Sequence, residues 1–95
     1  MTTVKNEEKL SFHPGVYVQR ELDKFKITQD EFAVRLGVSR YTVNQMLNQH
    51  RNITANMALR LERETDVEAI QWLQWQIEFD LEKERQRQKR KQGNG

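Results

Sequence analysis

Apolar residues along the chain fall into short runs at helical spacing, separated by brief polar junctions. Residues 1–12 are polar and without period, which predicts a flexible arm. His13-Pro14-Gly15 opens a first helix, because proline fits a first turn where its missing N–H costs nothing. His13 reads as a capping residue there. Val16, Val18, Leu22 and Phe25 supply the apolar positions over about three turns. Thr28-Gln29-Asp30-Glu31 reads as a capping box in which Thr28 and Glu31 each satisfy the other's orphan N–H. Phe32, Ala33 and Leu36 form the inner face of this second helix, and Gly37 ends it in a left-handed turn. Ser39 caps a third helix running to about Asn48, and Thr54 caps a fourth with Met57, Ala58 and Leu61 inward. A fifth starts near Val67 and passes Leu81. The expectation is an all-α fold of five helices, with the last one long.

The spacing from Gln29 to Asn48 carries the functional signal. A small residue where two helices cross (Ala33), a glycine turn (Gly37) and apolar anchors at Phe32, Leu36, Val38, Val43 and Met46 occur at the offsets of a helix-turn-helix. At 100° per residue, Val43, Met46 and Leu47 share one face of the third helix. The opposite face holds Arg40, Tyr41, Asn44, Gln45 and Asn48, with no acid and no aliphatic residue. Arginine can pair bidentately with guanine, and Asn or Gln with adenine. Arg40, Tyr41, Asn44 and Gln45 are therefore the candidate base contacts. Gln29 and Ser39, at helix starts, are candidate phosphate contacts. Asn48, Arg51 and Asn52 join them from the following loop, where Arg51 either grips the flanking strand or braces the loop.

Charge sharpens this picture more by its distribution than by its total. The formal net charge is +2. Yet no acid lies between Glu31 and Glu62, a stretch holding Arg35, Arg40, Arg51, Arg60 and His50. Residues 82–95 carry six basic and two acidic side chains, so most of the excess positive charge sits in a C-terminal tail. Such segregation suits a polyanionic partner. In the fifth helix, Ile70, Leu73, Ile77 and Leu81 form one apolar stripe, while Trp72, Trp75 and Phe79 form a second nearly opposite. A helix packed on one small domain needs a single stripe. The tryptophans and Phe79 are good interface anchors, so they are the expected homodimer contact. The division expected is an arm at 1–12, a DNA-binding and dimerisation domain at 13–81, and a basic tail at 82–95.

Catalysis finds no support. The two histidines, His13 and His50, lack metal-ligand spacing, and no phosphate loop or nucleophile motif is present. No cofactor or metal is expected. The absence of cysteine suits a reducing cytosol, and no apolar run approaches membrane length. The expected setting is the cytoplasm, with the protein on the nucleoid.

His13-Pro14-Gly15, Ile27-Thr28-Gln29, Phe32-Ala33, Leu36-Gly37-Val38-Ser39, Ile53-Thr54-Ala55, Ala58-Leu59-Arg60-Leu61, Trp72-Leu73 and Phe79-Asp80-Leu81 together resemble the HigA antitoxins of the lambda-repressor-like (XRE) group. The resemblance implies a five-helix lambda-repressor-like fold and a dimer formed largely through helix five. It implies binding to a palindromic operator and repression of the chain's own operon. It also implies silencing of a HigB/RelE-like mRNA-cleaving toxin by complex formation. Thr65-Asp66 and Glu68-Ala69 depart from the family's usual Leu-Gly turn and Ser-Pro helix start, and Gln71 replaces a usual aromatic. The alternative is a stand-alone phage or chromosomal repressor without a toxin.

Overall fold

The computed structural model of the chain describes residues 11–94, with side chains described to residue 91. Five helices follow in order: α1 Gly15–Phe25, α2 Gln29–Leu36, α3 Arg40–Leu47, α4 Ala55–Glu64 and α5 Ala69–Asn94. No strand occurs among the described residues. The expected arm at 1–12 lies almost wholly outside them; Ser11 and Phe12 are non-helical.

α2, α3 and α4 each start where a hydroxyl can satisfy an orphan N–H. Thr28 Oγ1 accepts from Glu31 N at 3.1 Å, Ser39 Oγ from Thr42 N at 3.0 Å, and Thr54 Oγ1 from Met57 N at 3.2 Å. Only this half of the expected capping box forms, since Glu31 turns outward to Arg35 at 2.9 Å. Gly37 adopts φ +77°, and its N–H and that of Val38 return to Ala33 and Val34 carbonyls. This closes α2 with a Schellman turn. α1 ends in the same way at Lys26, at φ 57°, where a lysine tolerates the left-handed backbone.

The His13-Pro14-Gly15 start has a packing reason beyond capping. Gly15 N–H donates to the buried His13 Nδ1 at 2.9 Å. A Cβ built on Gly15 would lie 2.1 Å from the Met46 carbonyl oxygen, so only glycine lets α1 cross the end of α3 this closely.

The core joins all five helices through Val18, Leu22, Phe32, Leu36, Val43, Met46, Leu61 and Trp72. Phe25, expected inward, is exposed. Tyr17 packs in its stead, stacked on Trp75 with ring centroids 3.8 Å apart.

α5 starts at Ala69, two residues after Val67, because Glu62 Oε2 accepts the Ala69 N–H at 2.9 Å. It then runs antiparallel to α4, bringing Gln76 to Ile53, just ahead of α4. The tryptophan stripe faces inward. Trp72 is 0 % exposed, and Phe79 sits edge-on to His13 with centroids 5.2 Å apart. Trp72, expected at the homodimer contact, is thus buried by its own domain, while Trp75 and Phe79 are half-buried against Tyr17 and His13. The more exposed stripe is the other one, with Ile70 66 %, Ile77 57 % and Leu81 47 % exposed, although its fourth member, Leu73, is half-buried against the core. α5 continues unbroken through residue 82 to Asn94, so the tail is helical. Among the described residues, no helix is long and apolar enough to cross a membrane.

Candidate nucleic-acid interface

α3 is held from behind and left open in front. Val43 and Met46 are fully buried, while Arg40, Tyr41 and Asn48 are exposed and Asn44 and Gln45 half-buried. The sequence-predicted set thus lies along the outer side of one short helix. Its first turn is fixed by Ser39, whose Oγ also lies 3.0 Å from Thr42 Oγ1.

Two of these residues form one hydrogen-bonded chain with Gln29 of α2. Asn44 Nδ2 donates to Gln29 Oε1 at 3.5 Å, and Asn48 Nδ2 donates to Asn44 Oδ1 at 3.0 Å. Gln29, expected only as a phosphate contact, therefore ties the start of α2 to the centre of α3. Arg40 is oriented as well, with its Nε 3.4 Å from Asp30 Oδ1. That contact leaves both terminal nitrogens of the guanidinium available as donors. The pair is exposed on both sides, so it adds little stability and dissolves readily against a stronger partner.

The arginines of the acid-free stretch divide by role. Arg35 pairs with Glu31. Arg60, from α4, donates through Nη1 to the Leu36 carbonyl at 2.8 Å and reaches the Gly37 carbonyl at 3.4 Å. It pins the turn between α2 and α3 rather than facing solvent anions. Arg51 is exposed in the loop after α3.

That loop is clamped from α5. Gln76 is buried; its Oε1 accepts the Ile53 N–H at 2.7 Å, and its Nε2 donates to Asn52 Oδ1 at 3.3 Å and Asp80 Oδ1 at 3.0 Å. Asn52, expected as a phosphate contact, thus has its oxygen occupied and its amide nitrogen as the group left to offer. Gln49 turns the chain out of α3 at φ 64°. His13 lies beneath the same loop. Burial lowers its pKa from 6.5, against the opposing effects of the Arg51 backbone and Asp80, while Lys83 adds to the lowering. Because Nδ1 accepts from Gly15, the neutral ring carries its proton on Nε2.

Sequence reasoning missed three positioning residues: Asp30, Arg60 and Gln76. In the sequence, Asp30 reads as part of a cap and Arg60 as part of a basic stretch. Gln76 gave no signal, since a glutamine between two apolar stripes reads as surface. The site is well suited to address base edges from α3 while donors from flanking turns hold a backbone. Among the described residues, no group of His, Asp and Glu could hold a metal ion.

The helix-turn-helix model HTH_3 matches residues 18–72, more than half of the chain. Virulence-associated protein A' of Dichelobacter nodosus is 34% identical over 70 residues, covering 73% of this chain and 61% of that protein, so the match spans less than two thirds of the relative's length. PA4674 of Pseudomonas aeruginosa, solved in complex with its operator DNA, is 37% identical with a TM-score of 0.73 over 78% of this chain and 82% of that one. The Pseudomonas aeruginosa antitoxin HigA, solved with the higBA promoter, is 32% identical with a TM-score of 0.80 over 86% of this chain and 90% of that one. With its lambda-repressor-like arrangement of five helices and a matched region that runs from within α1 into α5, this chain belongs to the HTH_3 helix-turn-helix family.

Proposed function

We propose that this chain is the antitoxin and autorepressor of a type II toxin–antitoxin module. It acts by binding rather than catalysis. As a homodimer it docks two copies of α3 in successive major grooves of a palindromic operator, about one helical turn apart. Arg40, Tyr41, Asn44 and Gln45 address the bases. Gln29, Ser39, Asn48, Arg51 and Asn52 position the protein on phosphates. The outward stripe Ile70, Ile77 and Leu81 pairs the two copies. A HigB/RelE-like mRNA-cleaving toxin is silenced by steric contact with the antitoxin.

The observation that carries this reading is the outer face of α3. It offers Arg40, Tyr41, Asn44, Gln45 and Asn48 without one acid, on a helix whose back is buried and whose turn is pinned by Arg60. The likeness to an antitoxin solved with its promoter supports the finer assignment.

Co-expression with the adjacent reading frame tests the toxin half. Rescue of growth and co-purification are expected; a harmless neighbour that does not co-purify refutes it. For the DNA half, Arg40→Ala should relax preference at one base pair at a cost of roughly 1–3 kcal/mol. Arg51→Ala should weaken all sequences alike and flatten the salt dependence. Identical behaviour of the two variants would refute the division into base readers and phosphate grippers.

A further inference from the structure

We infer that the basic extension of α5, residues 83–91, is a second DNA-contacting element that grips backbone phosphates without reading sequence. The inference rests on the reading above that α3 and its following loop face DNA. α5 begins beside Glu62 at the end of α4 and reaches Ile53 and Asn52 at Gln76. It therefore travels toward the loop that follows the recognition helix, which carries Arg51. Phe79 packs on His13, whose neighbour Gly15 abuts the last turn of α3. Past that level the helix does not stop. It continues from Leu81 to Asn94, a further projection of about 20 Å at 1.5 Å per residue. The tail thus leaves the domain from the end that holds the loop with Arg51 and Asn52.

Its chemistry fits one class of partner. From Lys83 to Lys91 there are six cations and one acid, Glu84, with Glu82 just before them. The two carboxylates engage Arg85, at 3.8 Å from Glu82, and Arg87, which hydrogen-bonds Glu84 and holds its carboxyl below the usual range. Lys83, Lys89, Arg90 and Lys91 have no carboxylate within ion-pairing distance among the described residues. Lys89, Arg90 and Lys91 are consecutive, so they point to three sides of the helix. No apolar residue follows Leu81. A helix that is cationic all round, without an apolar stripe, lacks what a lipid interface or a partner helix would bury. It has what a polyphosphate backbone attracts.

The test uses the full chain with Lys83, Lys89, Arg90 and Lys91 all changed to glutamine, a residue of similar helix propensity. A chain ending at Glu84 serves as the second variant. Each is titrated by fluorescence anisotropy against a mixed-sequence duplex of about 40 base pairs at salt from 50 to 200 mM. Four lost phosphate contacts per chain should reduce the slope of log affinity against log salt by about 3.6 for each bound chain. Raising salt across that fourfold range should therefore cost the parent roughly a hundredfold more affinity than the variant for each chain bound. An unchanged slope in both variants overturns the inference. So does loss of binding to anionic phosphatidylglycerol vesicles, or to an RNA of the same length, with the DNA slope intact. Sequence preference is scored separately with Arg40→Ala, so failure of base reading leaves this result distinguishable.

Discussion

Changing Gly15 to alanine adds a methyl group 2.1 Å from the Met46 carbonyl oxygen. Ordinary contact begins at 3.4 Å, so α1 and α3 must separate by about 1.3 Å if the shift is along that line. The obstacle is backbone at the end of α3, so no side chain can rotate away. Overpacking of this kind costs about 1–3 kcal/mol, and a rigid neighbour puts Gly15→Ala in the upper half of that range. Alanine recovers about 0.4–1 kcal/mol by restricting the unfolded chain, since Gly15 is helical and its φ is not positive. The net loss is then about 1–2.5 kcal/mol. For a domain of this size each kcal/mol moves Tm by about 4–8 °C, giving a fall of roughly 5–20 °C. Circular dichroism melts at matched protein concentration measure it, because the proposed dimerisation would make Tm concentration-dependent. The separation also tilts the last turn of α3, so affinity for the operator should fall even at temperatures where the variant is folded. A variant that melts at or above the parent and binds DNA equally would refute the claim that glycine is required for this crossing.

Four further outcomes follow from the same contacts. His13 binds its proton less tightly folded than unfolded, so its contribution to stability is complete above about pH 6.5 and declines as pH falls through that value toward the lowered one. Chemical denaturation from pH 5 to 8 should show this slope in the parent and a flatter one in His13→Ala. Gln76→Leu leaves the Ile53 N–H without its acceptor and should cost about 1–3 kcal/mol in a urea melt, and should weaken the proposed phosphate contacts of the loop it clamps. Arg60→Ala should cost about 1–3 kcal/mol through the lost bond to the Leu36 carbonyl while leaving the salt slope of DNA binding unchanged; a flattened slope would instead place Arg60 on phosphate. Ile77→Glu should give folded monomers by light scattering, whereas Trp72→Ala should unfold the domain at a cost of about 3–5 kcal/mol.

Much of this protein can be read along the chain because the governing interactions are local. Thr28, Ser39 and Thr54 announce helix starts, since a capping hydroxyl acts within three residues. Gly37 announces the turn, since a left-handed backbone penalises other residues. The apolar period then names the buried side of α3 and, by subtraction, its outer face. What the sequence left undecided depends on residues far apart in number. Two apolar stripes on α5 look alike at helical spacing, and only the position of Tyr17 and His13 makes Trp75 and Phe79 the inner pair. The role of Arg60 depends on carbonyls 23 and 24 residues away, and that of Gln76 on a loop equally distant. Gly15 is intelligible only when α3 lies against it. Caps and periods are set by the backbone's immediate neighbours, so composition at fixed offsets determines them. Which of two faces is buried, and which cation is already engaged, is a question of what the folded chain brings alongside, and only the tertiary structure answers it.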